Sequence, residues 1–324
     1  MKKFYYLSNG RSALNYALDN LNLKKIDEIL YPEYSCDVLF QHSKKKIYNY
    51  KFYKTRNNFF LSLNLLKKEI TSNTKIIIVI NFFGIKQNIK ELYKLCKKKK
   101  ILLFIDECHT YYDLNKSSDN DCDVKFFSPS KIFNELNNGG ILQINNKSIQ
   151  LNSKLKKKSD YLINFFSKIK KKLKNNPLYE NYKFSKKRPL YEDKNYFKST
   201  YNVNNFKLDT HNISLINSLN INKENKNRIK NFKFWILLCK KFRIRPLLNI
   251  KDIKHGCPLY FPAECKLYKD SIKLYDFGWK NNIEIISWPT LHFSQKKNKK
   301  LINQWKKMIY FPMNKNYFDR RNLL

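Results

Sequence analysis

Over the first 145 or so residues, short runs of apolar side chains alternate with longer stretches in which apolar residues recur every three or four positions. That is the pattern of strand and helix in turn. The strand-like runs are IDEILYP (Ile26 to Pro32), KIIIVINFF (Lys75 to Phe83), ILLFIDE (Ile101 to Glu107), DVKFFS (Asp123 to Ser128) and GILQI (Gly140 to Ile144). Between them, Ser12 to Leu23 and Ile89 to Lys98 carry helical spacing. Runs that are apolar throughout suit strands buried on both faces, as in a mostly parallel sheet flanked by helices. The first part therefore reads as α/β.

From about residue 150 to 200 the chain is rich in Lys, Asn and Tyr, with helical spacing over Tyr161 to Leu173 and little else that is sharp. A third part opens with helical spacing over Ile213 to Phe242. It continues with PLYFPAE (Pro258 to Glu264), a helical stretch over Lys269 to Asn281 and a strand-like run, IEIISWP (Ile283 to Pro289). Such a mixture predicts a smaller α+β domain. The expected division is a large α/β domain over 1–205 and a small C-terminal α+β domain over 206–324. There is no internal repeat.

Composition supports a folded chain, because 42% hydrophobic and 15% aromatic residues supply ample surface to bury. The net charge of +39 would ordinarily point to nucleic acid or an anionic membrane. Arg, however, accounts for only eight of the 65 basic residues. A nucleic-acid surface recruits Arg for bidentate contacts to phosphate and guanine, so the composition speaks against nucleic acid as the main partner. The seven cysteines show no C-x-x-C pair, and the five histidines are scattered. Neither a disulfide framework nor a metal site is indicated. No apolar run reaches the roughly 20 residues of a membrane-spanning helix, and the N-terminus carries no signal-peptide core, so a cytoplasmic protein without membrane insertion is expected.

Chemistry is suggested where the few glycines fall. Four of the six, Gly10, Gly84, Gly139 and Gly140, sit at strand ends or helix starts of the first part. SNGRSAL (Ser8 to Leu14) places a small, flexible turn directly before a helix, which fits a phosphate held by backbone N–H groups or, more commonly, a Ser/Asn helix cap. Asp106 closes the apolar strand ILLFIDE, and His109 follows three residues later. Ligands of α/β sheets bind at that edge, where a carboxylate can hold a pyridinium N–H; an Asp-Glu pair capping a turn fits as well. Lys131 ends FFSPSK, three residues after Ser128, and a Gly-Gly pair comes next. In a lysine-rich chain the residue means little alone. Its weight comes from the order: glycine turn, strand-end Asp, then Ser-x-x-Lys and Gly-Gly.

That ordered set resembles the DegT/StrS-type nucleotide-sugar aminotransferases, within the fold-type-I pyridoxal-phosphate enzymes. SNGRSALNYAL is similar to the family's phosphate segment, and ILYPEYSCDVL to the strand and loop after it. NFFGIKQNIKEL (Asn81 to Leu92), FIDECHTYYD and FFSPSKIFNELNNGGIL follow in the family's order. Farther on, RIKNFKFW (Arg228 to Trp235), PLYFPAE, the segment ending at His292 and YFPMNKNYF (Tyr310 to Phe318) resemble its small domain. The resemblance implies a fold-type-I aminotransferase-like architecture and pyridoxal 5'-phosphate as cofactor. It implies Lys131 as the cofactor-binding lysine, Asp106 on the pyridine nitrogen and His109 beside the ring. Gly10, Arg11 and Ser12, with the hydroxyl of Ser128, would hold the phosphate, and Tyr34 would lie near the ring face. It further implies transfer of an amino group from an amino acid, glutamate by resemblance, to a keto-sugar nucleotide in polysaccharide or glycan synthesis, by a homodimer. A non-sugar acceptor, or a non-catalytic basic binding protein on the same scaffold, are the alternatives.

Overall fold

The computed structural model describes residues 2–40, 48–56, 59–114, 121–152, 155, 206–253 and 256–319. Its centre is a seven-stranded sheet in the order β1-β7-β6-β5-β4-β2-β3. The strands are β1 (Lys3–Leu7), β2 (Glu28–Pro32), β3 (Asn49–Tyr53), β4 (Thr74–Ile80), β5 (Leu102–Asp106), β6 (Val124–Phe127) and β7 (Gly140–Ile144). β3, β2, β4, β5 and β6 run parallel, whereas β7 is antiparallel to both β6 and β1. The α/β expectation holds, and so does the mostly parallel sheet.

Why the strands are apolar throughout is visible in β4 and β5. Ile76, Ile78, Ile80 and Phe104 belong to one core cluster, together with Leu14 and Ala17 of helix α1 (Gly10–Asp19). The alternate residues Ile77, Val79, Leu103 and Ile105 belong to a second cluster with Leu92 and Cys96 of helix α3 (Lys90–Lys99). A short helix, α2 (Leu63–Lys67), supplies Leu66 to that second cluster. Each face is therefore covered, and each such side chain contributes about 1.5–3 kcal/mol by leaving water. Helix α3 ends at Lys100 in the left-handed region (φ 55°), with Lys97, Lys98 and Lys99 in its last turn, where cations complement the helix dipole.

The chain continues with α4 (Thr210–Asn217) and α5 (Ile221–Lys241), followed by a three-stranded antiparallel sheet ordered β10-β9-β8. Its strands are β8 (Arg245–Pro246), β9 (Tyr260–Glu264) and β10 (Met308–Pro312), with α6 (Tyr268–Lys280) and α7 (Lys299–Lys307) between the last two. The sheet is closed by α5: Trp235 stacks on Phe311 at 4.8 Å and its indole N–H donates to Pro312 O at 2.9 Å.

Several boundaries differ from the pattern. The helical stretch Ile213 to Phe242 is two helices, because Ser218 caps the first and the Asn220 side chain accepts from Lys223 N to start the second. The run Ile283 to Pro289 is no strand; Ile286 makes one bridge to Tyr310, and Pro289 soon removes a donor. β4 stops at Ile80, since Phe83 (φ 51°) and Gly84 (φ 89°) turn the chain through the left-handed region. β1 and β3, polar and aromatic edge strands, were not legible as strands. The helix expected over Tyr161 to Leu173 and the domain boundary expected after residue 205 lie outside the described residues. Among the described residues no helix is long and apolar enough to cross a membrane.

Candidate active site

Three parallel strands end in one row: Ile80 of β4 pairs with Asp106 of β5, which pairs with Phe126 of β6. All three line a cleft of about 380 Å³ at the carboxyl edge of the sheet. Asn9, Gly10 and Arg11 from the start of α1 line it as well, as do Cys36, Val38 and Leu39, then Cys108 and His109, then Ser128, Ser130 and Lys131, and finally Trp288 from the far part of the chain. Asp106, His109, Ser128, Lys131 and the Gly10 turn, scattered over more than 120 positions of sequence, thus meet around a single space.

The SNGRSAL turn is both a cap and a wall of the cleft. Asn9 Oδ1 accepts from Ser12 N at 3.0 Å, and the hydroxyls of Ser8 and Ser12 lie 2.9 Å apart. Ser12 is fully buried behind the cap and does not line the cleft, whereas Gly10 and Arg11 do. Position 10 has no room for a side chain: a Cβ there would stand 2.5 Å from Cys108 Sγ and 3.2 Å from Ser128 Cβ. Gly140 has a similar constraint, because a Cβ on it would collide with the carbonyl of Asn9. Gly10 thus lets the helix start close on Cys108 and Ser128, and Gly140 lets β7 close on Asn9, the residue before that start.

Asp106 is buried, and one of its oxygens accepts from Cys108 N at 2.8 Å. Burial pushes its carboxyl up from the ordinary value, while the Lys131 ammonium and the Cys108 N–H oppose that shift. His109 is driven well below the usual imidazole range, first by burial and then by the Lys131 charge, so its ring is neutral. The ring stacks on Phe83 at 5.0 Å and meets the edge of Trp288 at 4.7 Å. Its Nδ1 is buried without a hydrogen-bond partner, an arrangement that costs free energy unless a ligand answers it. Lys131 ends the turn Pro129–Lys131, its N–H bonded to Ser128 O at 2.9 Å, and its side chain is exposed at the cleft. The buried Cys108 thiol is pushed well up by burial and by Asp106, which makes it a packing group rather than a thiolate.

Tyr34 does not line the cleft. It is fully buried, its hydroxyl donates to Trp288 O at 2.8 Å, and it lies 2.8 Å from the hydroxyl of Tyr310. The aromatic wall is Trp288, carried by a segment that pairs Leu291 with Cys36 and bonds Thr290 O to Asp37 N at 2.8 Å. Trp288 was not foreseen at the cleft, whereas Asn9 and Cys36 lie in segments the sequence did single out, SNGRSAL and ILYPEYSCDVL, without a place at the cleft being expected for either side chain. His292 lies among Phe40, Tyr50 and Phe52, bonded to Ser294 at 2.8 Å. Glu107, beside Asp106 in sequence, points away and accepts from Asn81 at 2.8 Å and Tyr112 at 3.0 Å.

The model of the DegT/DnrJ/EryC1/StrS aminotransferase family matches residues 2–173, just over half of the chain. Solved structures share the fold. NtdA of Bacillus subtilis with its bound cofactor PMP aligns with a TM-score of 0.64 at 16% identity, over 99% of this chain and 71% of that one. PseC of Helicobacter pylori, an aminotransferase involved in the biosynthesis of pseudoaminic acid, aligns with a TM-score of 0.63 at 16% identity, over 95% and 81%. The Escherichia coli GDP-4-keto-6-deoxy-D-mannose-3-dehydratase with bound hydrated PLP aligns with a TM-score of 0.62 at 17% identity, over 99% and 87%. No curated protein matches the chain in sequence. At such identities the likeness is one of fold, and it spans both transamination and dehydration.

Proposed function

The chain belongs to the DegT/DnrJ/EryC1/StrS aminotransferase family, and from that premise we propose that it uses pyridoxal 5'-phosphate to move an amino group from an amino acid, glutamate in this reading, onto a keto-sugar nucleotide. The observation that carries the proposal is the single cleft shared by Gly10, Asp106, His109, Ser128 and Lys131. Its volume of about 380 Å³ lies within the range of small-molecule pockets. Its polar groups match the cofactor's: a carboxylate for the ring nitrogen, an unanswered imidazole nitrogen for a ring substituent, a helix start and a hydroxyl for the phosphate, and an amine for the aldehyde.

Bound there, the cofactor would supply an electron sink for charge that develops on the substrate carbon. Lys131 Nζ would hold it covalently and, once displaced by an amino substrate, carry a proton to and from the reacting carbon. The Asp106 carboxylate would keep the ring N–H in place; a cationic partner in the cleft favours the ionised form that burial opposes. His109, neutral and held between Phe83 and Trp288, would orient the ring by a hydrogen bond from Nδ1. The Ser12 N–H is taken by Asn9, so the phosphate would fall to the Gly10–Arg11 end of α1 and to the Ser128 hydroxyl. Trp288, rather than Tyr34, would exclude water from the ring side.

The presence of Lys131 favours amino transfer, because that reaction needs an amine both to hold the cofactor and to move the proton. The surroundings we propose are a homodimer in the cytoplasm, feeding polysaccharide or glycan synthesis. The test is direct. The purified protein should carry a visible absorbance band that borohydride bleaches, with the reduced adduct mapped to Lys131 by mass spectrometry, and Lys131→Ala should lose both. Half-reactions with glutamate and with several keto-sugar nucleotides then assign donor and acceptor. A protein that takes up no pyridoxal 5'-phosphate would sink the proposal.

A further inference from the structure

Arg228, on α5, is completely buried although it carries a full charge. A guanidinium removed from water needs every donor answered, and this one is answered by four groups from three parts of the chain. Its Nε donates to Glu224 Oε1 at 2.7 Å, Nη1 to the carbonyls of Pro258 at 2.6 Å and Leu259 at 3.4 Å, and Nη2 to the carbonyl of Ile132 at 2.5 Å.

Two of those attachments matter for the cleft. Ile132 is the residue after Lys131, at the end of a turn whose own bonds run Lys131 N to Ser128 O and Ile132 N to Pro129 O, each at 2.9 Å. The turn satisfies itself on its N–H side, and the outgoing carbonyl is held by Arg228. The 257–259 segment, in turn, is laid along the chain that follows Asp106: Leu259 N donates to His109 O at 2.9 Å and Cys257 N to Tyr111 O at 2.8 Å. One planar cation thus ties the strand of chain bearing Lys131 to the strand of chain bearing His109. A lysine ammonium could not make the same link, because it is a point charge without the rigid fork.

We propose that Arg228 is a positioning residue of the cofactor site, setting the place of Lys131 relative to His109 and Asp106 although it touches neither the cleft nor the cofactor. The inference rests on the cofactor reading above. A purely structural Arg228 would affect only stability. A positioning Arg228 also sets how Lys131 Nζ sits against the Asp106 charge, and the pH at which the visible band of the loaded protein titrates reports that.

The experiment uses the full chain with Arg228→Met and Arg228→Lys, each compared with wild type by thermal unfolding, by titration of pyridoxal 5'-phosphate into cofactor-free protein, and by pH titration of the visible band. Expected for Arg228→Met are weaker cofactor binding, a displaced titration midpoint and turnover lower by about 100-fold, the loss that follows an ångström-scale misplacement. Arg228→Lys should keep the charge beside Glu224, recover stability and still show the displaced midpoint. Should Arg228→Met fail to fold, the Lys variant decides. Variants that melt lower yet keep the wild-type midpoint and cofactor affinity overturn the inference. A wild-type protein that binds no cofactor overturns the functional reading instead, so the two failures are distinguishable.

Discussion

Lys131 is one basic residue among 65, and what distinguishes it is its neighbours: its charge bears on Asp106, His109 and Cys108 together. Asp106 shows how function and stability pull apart at such a site. Its folded-state pKa is raised by burial, so the fold disfavours the ionised form that the unfolded chain carries at neutral pH. The carboxylate therefore subtracts stability above its folded pKa, and the loss disappears as pH falls below the ordinary carboxylate value near 3.9. Asp106→Asn, which keeps an oxygen for the Cys108 N–H, is expected to raise the melting temperature of the cofactor-free protein at pH 7. The gain should shrink on acidification toward pH 4, and a pH series of melts checks it. The same variant is expected to lose about 100-fold or more in turnover, the scale of removing one fixed electrostatic partner.

At the scale of elements, the site is made where α1 begins and where β4, β5 and β6 end. The helix start is pressed so closely onto the chain after β5 that position 10 has no space for a Cβ beside Cys108 Sγ. Gly10→Ala offers the helix a better former, a gain of up to ~1 kcal/mol, against an overpacking cost of about 1–3 kcal/mol. The 2.5 Å approach decides for the cost. Gly10→Ala is expected to destabilise the protein and weaken cofactor binding, and adding Cys108→Ala should restore part of the stability by removing the sulfur. A double-mutant cycle by denaturant unfolding measures that coupling; additive losses would show that the contact is not what excludes a side chain.

For the whole molecule, the net charge of +39 is a self-repulsion that the fold has to tolerate. It is what remains after all 26 acidic residues are set against the 65 basic ones, so ion pairs such as Lys97–Asp123 and Arg228–Glu224 do not reduce it. The Debye length falls from about 30 Å at 0.01 M salt to ~8 Å at 0.15 M. The melting temperature should therefore rise over that range, in wild type and in Lys131→Ala alike. A melt that is insensitive to salt would mean that the surface lysines are spaced too widely to repel.

Period and order were enough to foresee the α/β core: unbroken apolar strands require cover on both faces, and Ile76 to Ile80 found it on alternate sides. Order along the chain also picked out Gly10, Asp106, His109, Ser128 and Lys131, because strand ends in a parallel sheet converge on one edge whatever lies between them. The tertiary structure alone decided the rest. It placed Trp288 at the cleft and Tyr34 behind it, since side-chain direction depends on which segments pack together across 250 positions. It turned Glu107 away from Asp106, because successive residues at a strand end face opposite sides. And it gave Arg228 its partners, all backbone carbonyls except Glu224, which no residue type announces.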